Sequence, residues 1–103
     1  VLGICRGMQM MGLWNGGKLR PISGHVKSRH NISGDINGNV NSFHNLGFCD
    51  CPQGYRITAE SEGGSIEAFT HNSLPWHGWM WHPEREEVFS SDDLKRINKI
   101  FHD

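Results

Sequence analysis

The sequence predicts an α/β fold, and three observations predict it. An apolar entry at residues 1–4 runs straight into a short apolar helical segment at 8–14, the signature of a buried strand feeding a helix. Two runs rich in β-branched and aromatic residues, 55–59 and 65–69, flank Glu62-Gly63-Gly64 at hairpin spacing. The chain closes on a helical pattern at 90–102, with Leu94, Ile97 and Phe101 at i, i+3 and i+7.

Each element has a local reason. Residues 1–4 read as the end of a buried strand. The helix at 8–14 stops at Asn15-Gly16-Gly17, a strong turn signal. Residues 18–39 are polar, contain Gly24, Gly34 and Gly38, and show little periodicity, so they read as loop with short strands. A short strand is expected at 40–43, and loop or turn at 48–54. The aromatic segment 76–82 reads as extended and ends at Pro83. Ser90 with Asp93 makes a capping box for the last helix. A single strand–helix unit cannot cover both faces of a parallel sheet. The rest of that sheet is therefore expected before Val1, and a partial or processed chain is the expectation.

Composition narrows the function. With 103 residues, 20 % charged and 36 % hydrophobic, the chain suits one domain with a single core. A net charge of −1 gives no electrostatic case for nucleic acid or an anionic membrane as partner. No apolar run reaches the ~20 residues of a membrane span. No basic-then-apolar leader opens the chain, so no signal peptide is expected. Three cysteines, Cys5, Cys49 and Cys51, are an odd number at irregular spacing. That argues against a disulfide framework and for a reducing, cytoplasmic setting. Cys49 and Cys51 lack a second ligand pair at zinc spacing, and His25, His30, His71, His77 and His102 match no zinc pattern, so they read as surface or loop histidines. No metal and no cofactor are expected. Trp14, Trp76, Trp79 and Trp81 read as core or pocket wall, Met8, Met10 and Met11 as core filler, and Glu86 and Glu87 as solvated charges.

The chemistry concentrates at two places. Gly3-Ile4-Cys5-Arg6-Gly7 has the form G-x-C-x-G. Its serine counterpart places a nucleophile on a sharp strand-to-helix turn. The helix start beyond Cys5 offers unpaired N–H groups, which favour a thiolate and lower the thiol pKa. The Arg6 N–H is placed to donate to an oxyanion. A structural cysteine between packing glycines is the alternative. Far along the chain stands Trp81-His82-Pro83-Glu84. Pro83 biases His82 toward extended backbone, where side chains two apart point the same way. His82 and Glu84 then read as a base and its orienting carboxylate beside a thiol nucleophile.

G-I-C-R-G-M-Q followed by W-H-P-E resembles the class I glutamine amidotransferase family, in its γ-glutamyl hydrolase-like branch. Asn15-Gly16-Gly17-Lys18-Leu19, His25 and His30, Val40-Asn41-Ser42-Phe43-His44 and Ile66-Glu67-Ala68 add to the resemblance. It implies that residues 1–103 are the C-terminal half of one such domain, a partial flavodoxin-like parallel sheet flanked by helices with the N-terminal half absent. It implies Cys5 as nucleophile, His82 as general base and Glu84 as its orienter. Gln9 would help hold the glutamyl group, and Ser42, Phe43 and His44 would line its pocket, partly through backbone. A second oxyanion donor would come from a glycine-rich loop of the missing half. Met80 stands where the family commonly has Gln, and Asn45 where this branch more often repeats His.

The implied function is hydrolysis of a γ-glutamyl amide C–N bond through a γ-glutamyl thioester, acting on a small molecule and completed by the missing half or a partner chain. The alternatives are a glutaminase that supplies ammonia to a synthetase, a catalytically incomplete fragment or binding module, and, more weakly, a zinc protein using Cys49, Cys51 and histidines. Alone, the chain is expected to expose apolar strand edge and helix-facing surface, and so to associate.

Overall fold

The computed structural model describes all residues except Cys49 and Asp103, together with the side chains of all described residues but His102. The elements run in the order β1 (Leu2–Ile4), α1 (Arg6–Trp14), β2 (Leu19–Pro21), β3 (Val26–Gly34), β4 (Gly38–Phe43), β5 (Leu46–Phe48), β6 (Tyr55–Ser61), β7 (Ile66–His71), β8 (His77–Trp79), a 3-10 turn (Pro83–Arg85) and α2 (Ser91–His102). Six strands form one sheet in the order β1-β8-β7-β6-β3-β4, and β2 pairs β5 in a small antiparallel ribbon. The α/β class holds. Among the described residues, parallel pairing is confined to β1 with β8, and the other strand pairs are antiparallel. No helix among the described residues is long and apolar enough to cross a membrane.

The two sheet faces carry separate cores. On one side α1 lays Met8 against Phe48, Tyr55, Ile66, Phe69 and Met80. On the other, Ile32, Val40, Ala59, Ala68, Trp79 and Trp81 meet Ile97 and Ile100 of α2. The alternation Gly78, Trp79, Met80, Trp81 divides the segment between these cores, as period-2 strand geometry requires. Trp79 and Trp81 stack with ring centroids 4.8 Å apart. Each fully buried large apolar side chain contributes roughly 1.5–3 kcal/mol.

The hairpin β6–β7, the helix α1 and the extended segment after Trp76 lie where the sequence puts them. Four expectations need correction. The polar stretch 18–39 contains β3, a nine-residue strand in the sheet interior. Its inward positions are Ser28, His30 and Ile32, of which only Ile32 is apolar and fully buried, so it carries almost no hydrophobic period. Phe48, expected in a loop, ends β5 and is completely buried. Trp14 and Met10 are exposed rather than core, as the outer face of α1. Finally, α2 is rotated from its expected register. Leu94 and Phe101 face solvent, while Asp93, Ile97 and Ile100 face the sheet. The Asp93 N–H donates to Ser90 Oγ at 3.3 Å, and the Asp93 carboxylate accepts from Arg96 at 2.9 Å, which draws this face inward. The Cys49–Cys51 spacing falls partly outside the described residues.

This rotation makes a direct prediction. Ile97→Ala is expected to destabilise the fold by roughly 1–2 kcal/mol, below the ~2–5 kcal/mol of a fully buried site. Leu94→Ala is expected to stay within about 0.5 kcal/mol. Urea unfolding of both variants checks this, and equal losses would contradict the register described.

Candidate active site

Cys5 sits at the join of β1 and α1 with φ +51° and ψ −101°, one of two non-glycine residues with positive φ among the described residues. Positive φ is costly for a residue with a Cβ, and such strain persists only where the surroundings fix it. Two backbone bonds do so. The Cys5 N–H donates to the Trp79 carbonyl at 2.7 Å, and the Cys5 carbonyl accepts from the Gln9 N–H at 2.9 Å. The two flanking glycines serve different ends. A Cβ on Gly3 would lie 2.7 Å from the Gly7 carbonyl carbon, so Gly3 is what lets the helix start close over the strand. A Cβ on Gly7 would meet only open space.

The bond from Cys5 to Trp79 sets the elbow beside the end of β8, three residues before His82. His82 is extended (φ −107°, ψ 92°), as expected, but Pro83 then opens the 3-10 turn. Glu84 therefore reaches His82 through that turn and not by the i, i+2 geometry of a strand. The result is a 2.7 Å contact between His82 Nδ1 and Glu84 Oε2. An ionised carboxylate only accepts, so Nδ1 carries the proton; in the neutral ring Nε2 is then the acceptor. Burial works to raise the Glu84 pKa. The hydrogen bond from His82, a backbone N–H and the charges of His82 and Arg85 outweigh it and hold the carboxyl below its usual value.

Asn41, to which the sequence assigns no role of its own, holds His82 by the backbone. The His82 N–H donates to Asn41 Oδ1 at 2.8 Å, and Asn41 Nδ2 donates to the His82 carbonyl at 2.7 Å. Asn41 is 5 % exposed, and a buried amide satisfied on both sides is a geometric lock. On the same strand Phe43 meets the His82 ring edge-on at 6.0 Å, and Arg85 lies 4.7 Å over the Phe43 ring. Gln9 Nε2 donates to the Leu46 carbonyl at 3.1 Å, tying α1 to the segment that follows His44. Glu86, expected to be solvated, pairs with Arg29 at 2.8 Å.

One expectation about Cys5 is overturned. Burial raises the thiol pKa and is the dominant influence. The Arg6 N–H and the guanidinium groups of Arg85 and Arg6 pull it down, and the Glu84 carboxylate pushes it up. Burial outweighs these opposing charges and holds the thiol above its ordinary value, which favours a thiol that needs a base.

His44 lies 5 % exposed, its Nδ1 3.5 Å from Ser42 Oγ, and packs against His25. Burial, with His25, His30 and His82 nearby, lowers its pKa to about 4. Ser42 is fully buried and its hydroxyl donates to the His25 carbonyl at 2.6 Å. Of the expected pocket residues, then, Ser42 and His44 turn their side chains into the protein. His25 and His30 are not the surface histidines expected. Their side chains are 12 % and 15 % exposed and both approach Glu67.

A family model described as glutamine amidotransferase class-I matches residues 1–95. The chain belongs to the class-I glutamine amidotransferase family. It is 35 % identical over 107 residues to one of the subunits of a glutamine-hydrolyzing GMP synthase from Methanothrix thermoacetophila, covering 88 % of this chain and 59 % of that protein. It is 31 % identical over 86 residues to a gamma-glutamyl-CDP-amidate hydrolase from Campylobacter jejuni, covering 84 % of this chain and 43 % of that one. The fold matches the crystal structure of a protein described as a GMP synthase subunit from Thermoplasma acidophilum, with a TM-score of 0.80, 24 % identity, and coverage of 96 % and 54 %. The chain thus spans about half the length of these amidotransferase relatives.

The two glycines of the elbow are separable by mutation. Gly3→Ala is expected to destabilise the protein by about 1–3 kcal/mol through overpacking. Gly7→Ala is expected to be neutral or to stabilise α1 by up to about 1 kcal/mol. Thermal unfolding of the two variants decides it, and a Gly7 loss equal to the Gly3 loss would sink the assignment.

Proposed function

We propose that this chain carries the thiol, base and carboxylate of an enzyme that hydrolyses γ-glutamyl amide C–N bonds, with Cys5, His82 and Glu84 as a triad. The observation that carries the reading is the 2.7 Å His82–Glu84 contact, three residues along from the Trp79 carbonyl to which a cysteine held at φ +51° is bonded. Family membership supports it.

Under this reading the three side chains divide the chemistry between them. His82 Nε2 takes the Cys5 proton as sulfur attacks the γ-carbonyl carbon, and the Arg6 N–H donates to the developing oxyanion. Collapse breaks the C–N bond, His82 returns its proton to the leaving amine, and a γ-glutamyl thioester remains. Water attacks the thioester with His82 again as base, and glutamate and the free thiol are released. Glu84 keeps Nδ1 protonated and offsets the charge on the imidazolium. Because burial keeps Cys5 protonated at rest, proton removal is coupled to attack. Gln9, Phe43 and the backbone around Ser42 and His44 are proposed to hold the glutamyl group. We propose further that residues 1–103 are the C-terminal half of one such domain, whose other half or a partner supplies the second oxyanion donor.

A second reading differs only in the fate of the amine. The likeness to a glutamine-hydrolyzing GMP synthase subunit favours a glutaminase that passes ammonia to a synthetase. The likeness to a γ-glutamyl amidate hydrolase favours a free-standing hydrolase. Glutamate release from γ-glutamyl amides, compared with release from free glutamine, separates the two. Turnover of glutamine alone, and only with a synthetase added, would select the second. Absence of any Cys5-dependent turnover would leave an incomplete fragment and overturn both.

Cys5→Ala is expected to abolish glutamate release, and Glu84→Gln to lower kcat by roughly 10²–10⁴-fold with little change in KM. Iodoacetamide labelling of Cys5 is expected to accelerate with pH through the ordinary thiol range and beyond it, since burial raises that pKa. A labelling rate already at its plateau below neutral pH would show a preformed thiolate.

A further inference from the structure

We propose that His25, His44 and Glu67 form a binding site for a first-row divalent metal ion such as zinc, with His30 holding the Glu67 carboxylate. The four side chains come from separate places: His25 just before β3, His30 on β3, His44 just after β4, and Glu67 on β7. One ligand atom each from His25, His44 and Glu67 lies within 4.8 Å of the other two. Glu67 Oε1 stands 3.3 Å from His25 Nδ1 and 2.7 Å from His30 Nε2. The His25 ring is 4.6 Å from the His30 ring and 5.0 Å from that of His44, centroid to centroid.

The second observation concerns hydrogen bonding. Glu67 is 1 % exposed, yet Glu67 Oε1, His25 Nδ1 and His30 Nε2 are buried with no well-aligned hydrogen-bond partner. Buried polar atoms are almost always satisfied. A proton shared between His30 and Glu67 accounts for one close contact but leaves His25 Nδ1 without a partner. A cation among the converging lone pairs satisfies His25, His44 and Glu67 together. Two imidazoles and one carboxylate are a known zinc donor set, and such ligands suit iron, nickel and copper as well. At metal–ligand lengths of about 2.0–2.1 Å, tetrahedral ligand atoms lie about 3.3–3.5 Å apart, so a modest contraction of the side chains closes the site. His30 on the Glu67 carboxylate then has the place of an outer partner that orients a ligand. Of the three ligands, His25 lines an open cleft of about 320 Å³, together with His30, Gly24, Asn31 and Glu62.

A bound ion would tie β3, β4 and β7 together directly behind Ser42 and Phe43. The site uses none of Cys5, His82 and Glu84; it shares His44 with the proposed glutamyl pocket, through its side chain where the pocket takes the backbone.

The test uses the purified chain, stripped with chelator and titrated with Zn²⁺ or Co²⁺, read by calorimetry and elemental analysis. One equivalent is expected to bind. Affinity should fall at least about 100-fold in Glu67→Gln and His44→Ala, and about 10–100-fold in His30→Gln. The Co²⁺ adduct of the unaltered chain should show d–d bands without thiolate charge transfer, a readout that stands even where a variant fails to fold. No uptake by the folded chain, uptake unchanged in folded Glu67→Gln, or a cobalt–thiolate band would each overturn the proposal.

Discussion

The structure depends on the parallel pairing of β1 with β8. It sets Leu2 against His77, Gly3 against Gly78 and Ile4 against Trp79, and it ends in the bond from the Cys5 N–H to the Trp79 carbonyl. This pairing joins residues some 75 positions apart in sequence, at the only parallel ladder among the described strands. The facing glycines are what make it useful. A Cβ on Gly3 would strike the start of α1, and one on Gly78 would lie 2.7 Å from Met8 Cγ. With both absent, α1 lies close on the sheet, Met8 is completely buried, and the strained conformation of Cys5 is held from two sides.

From that constraint the electrostatics follow. An elbow packed this closely is partly withdrawn from water, and withdrawal favours the neutral thiol. The same closeness brings Arg6, Glu84 and Arg85 within reach of the sulfur, with opposing effects. Burial wins. Under the proposed chemistry this places the demand for proton removal on His82, whose orientation is fixed at Nδ1 by Glu84 and at the backbone by Asn41. Two aligned hydrogen bonds to a buried amide contribute roughly 0.5–1.5 kcal/mol each. Their larger effect is geometric, since they join β4 to the residue that precedes the 3-10 turn.

The sequence is legible where one residue type has one physical job. The apolar entry, the Asn15-Gly16-Gly17 stop and the Glu62-Gly63-Gly64 turn all sit where the pattern predicts. So does the pairing of His82 with Glu84, although a 3-10 turn and not a strand produces it. The strand β3 is illegible because its inward residues are Ser28, His30 and Ile32, a pattern with no hydrophobic period. The face of α2 misleads because Leu94 and Phe101 mimic a core stripe, while the buried Asp93 is masked by its charge. The protonation of Cys5 misleads for another reason: motif geometry is local, but desolvation is a property of the packed whole. His25, His30, His44 and Glu67 share no spacing, and only the antiparallel strand order β7-β6-β3-β4 collects them.

That register also explains why the interior behind the elbow is polar. β4 carries Asn41, Ser42 and Phe43 in succession. Asn41 holds the backbone of His82, Phe43 meets its ring, and Ser42 is bonded to the carbonyl of His25. One short strand thus touches both the His82–Glu84 pair and the histidine–carboxylate cluster. An all-apolar strand would bury more hydrophobic surface, but it would leave the His82 backbone free to rotate. The fully satisfied amide of Asn41 gives up some hydrophobic burial for a unique position of the imidazole, the exchange that buried polar networks make when every member is paired. In the cluster behind it that pairing is incomplete at His25, His30 and Glu67. The two polar groups therefore differ in kind: the first is closed by its own hydrogen bonds, and the second is arranged to accept something more.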